Sequence, residues 1–368
     1  MAALDAALLA HIHAIANRPQ RDRGATRAIY SYPAKFQAHL PAELIRLFSQ
    51  PGELVVDPFS GGGTTGLESY LAGRAFFGVD LNPLAPLLGR VKTTPLAAAD
   101  ARGLLEEALA ARAQRAALFD ARGQRPLFDA DEAALLGPVL TEELERLAAA
   151  VLAAGSTPAA DLLLVALIHT VRTVGRRDFA APSCLPLFRR RAERIIRAVA
   201  ALPRRTPAPG FRVGSAAALS ELGRGEARLV VTSPPYKDLD VEYGVIQLQR
   251  RTQHRSKRSR VLFKLLGTEP LAKSVLCGGR GATYGARLRP ALAEIRRVLA
   301  PKAFAFFWIG FKTAADREAF LADLSAAELH PRHLLAVALG RDRVASSRST
   351  HHGRATGMLA RDYLIVCQ

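Results

Sequence analysis

Cysteine is scarce in this chain. Its three cysteines, Cys184, Cys277 and Cys367, stand far apart in 368 residues. No CxxC spacing occurs, so the pattern offers neither a zinc site nor a disulfide framework. No metal is expected, and a reducing cytoplasm is the expected compartment. No apolar run reaches the ~18 residues that span a bilayer, so no membrane partner is expected. The opening "MAALDAALLAHIHAIANRPQRDR" lacks a basic start and a cleavage site, and reads as an amphipathic helix. Lysine is also rare, 8 of 51 basic residues, a bias that GC-rich genomes produce. Acidic residues number only 33, which leaves a net charge of +18. Arginine bias could have been balanced by Asp and Glu and was not, which points to a polyanionic partner, nucleic acid first.

What is there is ordinary for a soluble globular protein: 23% charged and 49% hydrophobic residues, enough for one extended domain or two smaller ones. Residues 1–20 read as a helix. "YSYPAKFQAHLPAELIRLF" reads as a Pro-punctuated loop and a second helix. "GELVVDPF", "GGGTTGLESYLAGR" and "AFFGVDLNP" then give a strand, a glycine turn with a helix, and a strand, which is a parallel, right-handed β-loop-α-β unit. From 96 to 200 alanine and leucine recur at helical spacing, which reads as a helical insertion between a cofactor-binding half (1–95) and a catalytic half (201–368). Strand patterns resume at "FRVGSA" and "ARLVVTSPPY". A basic, glycine-containing stretch fills 237–286. A helix, the strand "AFAFFWIG" (303–310), another helix and two last strand patterns, "HLLAVALG" and "DYLIVCQ", complete the chain, with a basic loop at 341–358. The alternation implies an α/β fold with an open, Rossmann-like twisted sheet and helices on both faces.

Two strand ends carry the chemistry. In "VVDPFSGGGTT", Gly61, Gly62 and Gly63 permit φ > 0 and close approach of a ligand to the backbone. The helix after them, from Thr64, aims free N–H groups at that ligand. Asp80 ends the next strand, where an acid can accept hydrogen bonds from ribose hydroxyls. This much indicates an adenosine-containing ligand; a plain strand–turn–helix is the structural alternative. In "VVTSPPYKD", Pro234 and Pro235 stiffen the backbone and remove two donors. The carbonyls before and between them stay free, Ser233 adds a hydroxyl and Tyr236 a flat face. That set suits a planar ring with an exocyclic amino group; a Pro-Pro turn at a strand end is the alternative. "QRRTQHRSKRSR" (249–260) carries Arg250, Arg251, Arg255, Lys257, Arg258 and Arg260, read as phosphate contacts; a solvated loop is the alternative.

Taken together, "DPFSGGGTT", "SPPY", the acidic strand end "GVDLNP" and "YPAKF" ahead of a helix resemble the S-adenosylmethionine-dependent DNA amino-methyltransferases, which modify the exocyclic amino group of cytosine or adenine. The resemblance covers about residues 28–90 and 211–310. It implies the class I methyltransferase fold, S-adenosyl-L-methionine as cofactor and double-stranded DNA as partner, in the nucleoid of a prokaryotic cell. Restriction–modification follows as the setting, in which a cognate restriction endonuclease can be a partner. Asp57, Pro58, Phe59, Gly61, Gly63 and Thr64 would line the methionine and adenosyl groups, and Asp80 would hold the ribose. Lys35 and Phe36 would cover the cofactor from the other side. Ser233, Pro234, Pro235 and Tyr236 would receive the base. The strand before the catalytic one often ends Gly-Asp in this family; here Ser215 replaces the acid.

A duplex hides its amino groups, so the base must be flipped out. Hydrogen bonds from its amino N–H groups to Ser233 and the Pro234 carbonyl would draw the nitrogen toward tetrahedral geometry and free its lone pair. Catalysis would rest on positioning and electrostatics, with no covalent enzyme–base intermediate. The family's adenine enzymes usually carry an acid or amide before Pro-Pro-Tyr, so Ser233 favours cytosine and N4-methylcytosine as product, with N6-adenine as the alternative. An RNA amino-methyltransferase and a nucleic-acid-binding module with an inactive cofactor fold stay open. A nicotinamide oxidoreductase would also use an Asp-ended second strand, but leaves "SPPY" and the basic cluster unused. Target reading falls either to the helices at 96–200 or to 237–286, the latter favoured because it starts beside Tyr236.

Overall fold

The computed structural model describes residues 4–18, 24, 26, 29, 30, 32, 37–110, 126–176, 178–237, 246–249, 256–268, 283–337 and 361–368. In chain order the elements are α1 (Ala6–Ala16), α2 (His39–Phe48), β1 (Leu54–Asp57), α3 (Thr64–Leu71), β2 (Ala75–Asp80), α4 (Leu84–Thr93), α5 (Ala98–Ala110), α6 (Ala130–Leu136), α7 (Pro138–Ala153), α8 (Pro158–Val174), α9 (Leu185–Ala200), β3 (Gly210–Val213), β4 (Ala227–Thr232), β5 (Ile246–Gln249), β6 (Ser256–Ser259), α10 (Val261–Leu265), α11 (Thr283–Val298), β7 (Leu299–Phe311), α12 (Ala314–Ala326), β8 (Pro331–Val337) and β9 (Arg361–Cys367).

One sheet has the strand order β3-β2-β1-β4-β7-β9-β8. The pairs from β3 to β7 are parallel, and β9 runs antiparallel between β7 and β8. This is the doubly wound order, which reverses direction between β1 and β4, where such sheets bind ligands. The Rossmann-like open sheet implied by the sequence is therefore the fold.

Burial on both faces explains the apolar strands. Successive side chains point to opposite faces. Val55, Leu229, Val231, Phe304, Phe306 and Trp308 pack with α1 and α2. Val56, Val230, Ala305, Phe307 and Ile309 pack with α11 and α12. α2 contributes Leu40, Leu44, Ile45 and Phe48, the spacing of one helical face. At the sheet's other end Phe211 of β3 lies so close to α3 that a Cβ on Gly66 would stand 2.5 Å from its ring.

Two features differ from the sequence reading. β7 is longer than the strand expected at 303–310 and begins at Leu299. The stretch after the catalytic strand contains the antiparallel hairpin β5–β6 and the short helix α10. Leu248, Val261, Leu262 and Leu265 from this stretch share one buried cluster with Leu144, Leu163 and Phe188 of the helices at 98–200.

Candidate active site

The two strand ends meet at the reversal of strand order. β1 and β4 are neighbours, and the Thr232 hydroxyl donates to Asp57 Oδ1 at 2.7 Å. The Phe59 amide donates to the same oxygen at 3.2 Å. Asp57 is 3% exposed. Burial pushes its carboxyl up to about 6, against the opposing pull of these hydrogen bonds. The Asp57 carboxylate lies in the seam between the strands, where it holds the neighbouring loop.

The glycine turn follows directly. Gly61 (φ 47°) and Gly63 (φ 72°) occupy the left-handed region that favours glycine. The Gly63 amide donates to the Ser60 carbonyl at 2.8 Å, and α3 starts at Thr64. Phe59, Gly61 and Thr64 are half-buried, whereas Pro58 is buried. Asp80 accepts from the Gly61 amide at 2.8 Å through Oδ2 and from the Asn82 amide at 2.9 Å through Oδ1. Each oxygen keeps a further acceptor site. Desolvation by the surrounding chain pushes this carboxyl up to about 6 as well. Among the described residues the buried Ser60 hydroxyl has no hydrogen-bond partner. The Gly214 amide donates to the Asp80 carbonyl at 3.0 Å, which brings the β3 end alongside. There Ser215 accepts from the Ala217 amide at 3.1 Å and shapes its own turn.

Three residues at this turn escaped the sequence reading. Tyr32 lies over the glycines: Cβ atoms on Gly61 and Gly62 would stand 3.4 and 3.0 Å from its side chain. Its hydroxyl accepts from Asn82 Nδ2 at 3.0 Å, and Asn82 is buried. The buried ammonium of Lys92 donates to the Gly62 carbonyl. Tyr32 and Asn82 do sit beside quoted motifs, "YPAKF" and "GVDLNP"; Lys92 carries no local signal. Lys35 and Phe36, expected as the cofactor's cover, lie outside the described residues.

After Thr232 the chain turns sharply. Pro234 is buried, while Ser233, Pro235 and Tyr236 are half-buried. The Tyr284 hydroxyl donates to the Pro235 carbonyl at 2.9 Å; burial pushes this phenol above its usual range. Among the described residues no group is bonded to the Ser233 hydroxyl or the Pro234 carbonyl. Tyr236 packs against Gly310 of β7, where a Cβ would stand 2.8 Å from Tyr236 Cε2. Next to it Lys237 pairs with Asp316 at the start of α12.

Of the residues expected to contact phosphates, Arg250, Arg251 and Arg255 lie outside the described residues, as does 341–358. Arg258 and Arg260 are exposed. The Lys257 ammonium pairs with Asp129 at 2.7 Å and Asp131 at 3.0 Å, at the acidic start of α6, so it fastens the hairpin to the helices. Lys264 Nζ donates to the Pro126 and Leu127 carbonyls, both at 2.9 Å.

Residues 11–85 match a family model described as "DNA methylase". The matched stretch contains Tyr32, the glycine turn and Asp80. Over 74 residues the chain is 35% identical to the type II methyltransferase M.MvaI of Kocuria varians, 19% of this chain and 16% of that protein. Over 55 residues it is 40% identical to the type II methyltransferase M.PvuII of Proteus hauseri, 15% of this chain and 16% of that protein. The match thus spans about a sixth of the length of each relative. A TehB-like S-adenosylmethionine-dependent methyltransferase of Corynebacterium glutamicum aligns over 89% of this chain and 86% of its own, at 11% identity and a TM-score of 0.33. Beyond the matched stretch, β3, β4, β7, β8 and β9 complete the sheet, and Ser-Pro-Pro-Tyr follows the C-terminal end of the central strand β4.

Proposed function

We propose that the chain transfers a methyl group from S-adenosylmethionine to the exocyclic amino group of a base in DNA, with cytosine N4 as the acceptor. The observation that carries this reading is the Thr232–Asp57 hydrogen bond, which sets Ser-Pro-Pro-Tyr beside the glycine turn of the matched stretch. The turn suits the cofactor: Asp80 has acceptor sites left for ribose hydroxyls, the Ser60 hydroxyl is unpaired among the described residues, and α3 opens toward the turn. Phe59, Gly61, Gly63 and Thr64 would line it, with Tyr32 behind. S-adenosylmethionine, when bound, supplies a methyl group made electrophilic by its sulfonium.

The protein's part is positioning. Tyr236, braced on Gly310, offers its ring to a base taken out of the duplex. The Ser233 hydroxyl oxygen and the Pro234 carbonyl accept the two amino hydrogens and draw the nitrogen toward tetrahedral geometry. The lone pair released is then directed along the line of methyl transfer. Charge develops on the amino group in the transition state, so these two acceptors act more strongly there than on the resting base. Cytosine is preferred over adenine because serine, without an acid or amide, precedes Pro-Pro-Tyr.

Labelled-cofactor transfer to DNA, followed by nucleoside mass spectrometry, tests this. N4-methylcytosine is expected. N6-methyladenine alone would move the acceptor and keep the mechanism. Transfer to RNA and to no DNA would overturn the substrate class.

A further inference from the structure

Helix α9 divides its arginines between two faces. Arg189 pairs with Glu106, and Glu193 of the same helix takes Arg102; this face knits α9 to α5. Arg190, Arg194 and Arg197 follow at i, i+4 and i+7 on another face, all exposed. Among the described residues no carboxylate pairs with any of the three. Like charges four residues apart on a helix repel each other, so this stripe works against the helix that carries it.

The repulsion extends beneath the stripe. Arg191 is wedged between α9 and α8, with Nη1 donating to the His169 carbonyl and Nη2 to the Thr173 hydroxyl, each at 2.7 Å. Among the described residues its buried Nε has no partner. Burial, Arg190 and Arg194 together hold its guanidinium down to about 10. Burial and then Arg191, Arg172 and Arg194 hold His169 down to about 3. Every charged side chain that acts on His169 is an arginine. A neutral imidazole at that position adds no further positive charge to the cluster.

The contacts beneath the stripe lead toward the candidate active site. The Tyr30 ring meets His169 edge-on at 5.4 Å, with the Arg172 guanidinium 5.6 Å above it. The Tyr32 amide donates to the Tyr30 carbonyl at 3.2 Å, and Tyr32 lies over the glycine turn. The helix's one acid, Glu193, is taken up by Arg102, and regularly spaced arginines left in this way suit a backbone of regularly spaced phosphates.

We propose that Arg190, Arg194 and Arg197, supported by Arg191, bind the phosphate backbone of duplex DNA. This rests on the DNA methylation proposed above and assigns to α9 a phosphate contact that the sequence reading placed at 249–260.

The test compares the full chain with R190Q/R194Q/R197Q and with the three arginines changed to lysine. Binding to a random-sequence duplex is followed by fluorescence anisotropy across a salt series, and cofactor affinity by calorimetry. Each lost phosphate contact lowers the log–log salt slope by roughly 0.9. The glutamine variant should therefore lose about 2–3 from the slope, the lysine variant should keep it, and both should bind cofactor as the unaltered chain does. Equal slopes for the unaltered chain and the glutamine variant would overturn the proposal, as would a slope that falls with RNA but not with duplex DNA. The methylation reading is judged separately, by transfer from the unaltered chain. If the slope falls in the glutamine variant while the unaltered chain methylates no DNA, the surface stands and that reading falls.

Discussion

The Thr232 hydroxyl and the Asp57 carboxylate, 175 residues apart in sequence, meet at 2.7 Å across the seam between β4 and β1. Through this contact the glycine turn and the Ser-Pro-Pro-Tyr loop are held in one register. Removing the donor leaves a buried acceptor short of a partner, which costs about 1–3 kcal/mol. Thr232→Val should lose that much stability in urea denaturation, and Thr232→Ser should recover most of it. Methyl transfer should slow in the valine variant, because Ser233 is the next residue.

Asp57 and Asp80 are both raised from 3.8 to about 6. The folded chain therefore takes up these protons at higher pH than the unfolded chain. Stability should fall as pH rises from about 4 to about 6 and level off above. Asp57→Asn should remove part of that fall in thermal unfolding measured across the pH range.

Cofactor binding should run the other way. A ribose held by Asp80 needs the ionised carboxylate as acceptor, so affinity should weaken as pH drops below about 6. Asp80→Ala should cost about 1–3 kcal/mol of cofactor affinity, the range for polar partners left unpaired, and should flatten this pH dependence. Calorimetry at several pH values would show both; an unchanged affinity would rule out the ribose contact.

Gly310 is a packing requirement for the base site. A methyl group there would stand 2.8 Å from Tyr236 Cε2 and 2.7 Å from Asp362 Oδ1, well inside contact distance, so the tyrosine ring must move. Gly310→Ala should reduce the rate of methyl transfer on the order of tenfold to a hundredfold, as misplacement of reacting groups does. Cofactor affinity should stay the same.

Ser233→Ala separates chemistry from binding. Its hydroxyl matters most as the amino nitrogen changes geometry, so single-turnover transfer should slow while DNA and cofactor affinities hold. Parallel losses in DNA affinity and rate would instead make Ser233 a binding residue.

Much of the fold was legible because short apolar runs, a glycine turn and the helical spacing of alanine and leucine are written locally. "LVVD", "AFFGVD" and "ARLVVT" each became a strand with the expected end. What was not legible is contact across the chain. Thr232 reads as an ordinary strand residue until β4 lies beside β1. Lys92 belongs to an unremarkable helix and bonds Gly62, 30 residues earlier. Lys257 looked like a phosphate ligand because its neighbours are basic, yet its partners, Asp129 and Asp131, are more than 120 residues away. That Leu248 and Val261 pack into the core of the helices at 98–200 was hidden in the same way.

The last strand, β9, lies between β7 and β8 and hydrogen-bonds to both. During synthesis every other strand of the sheet leaves the ribosome before it. Until residues 361–367 emerge, the 13-residue β7, with its run of phenylalanines, has an unpaired edge, and such an edge invites pairing with other chains. The nascent protein thus spends the synthesis of some fifty residues after β7 with its most aggregation-prone strand half satisfied. Ribosome stalling between β7 and β9 would hold the chain in that sticky state.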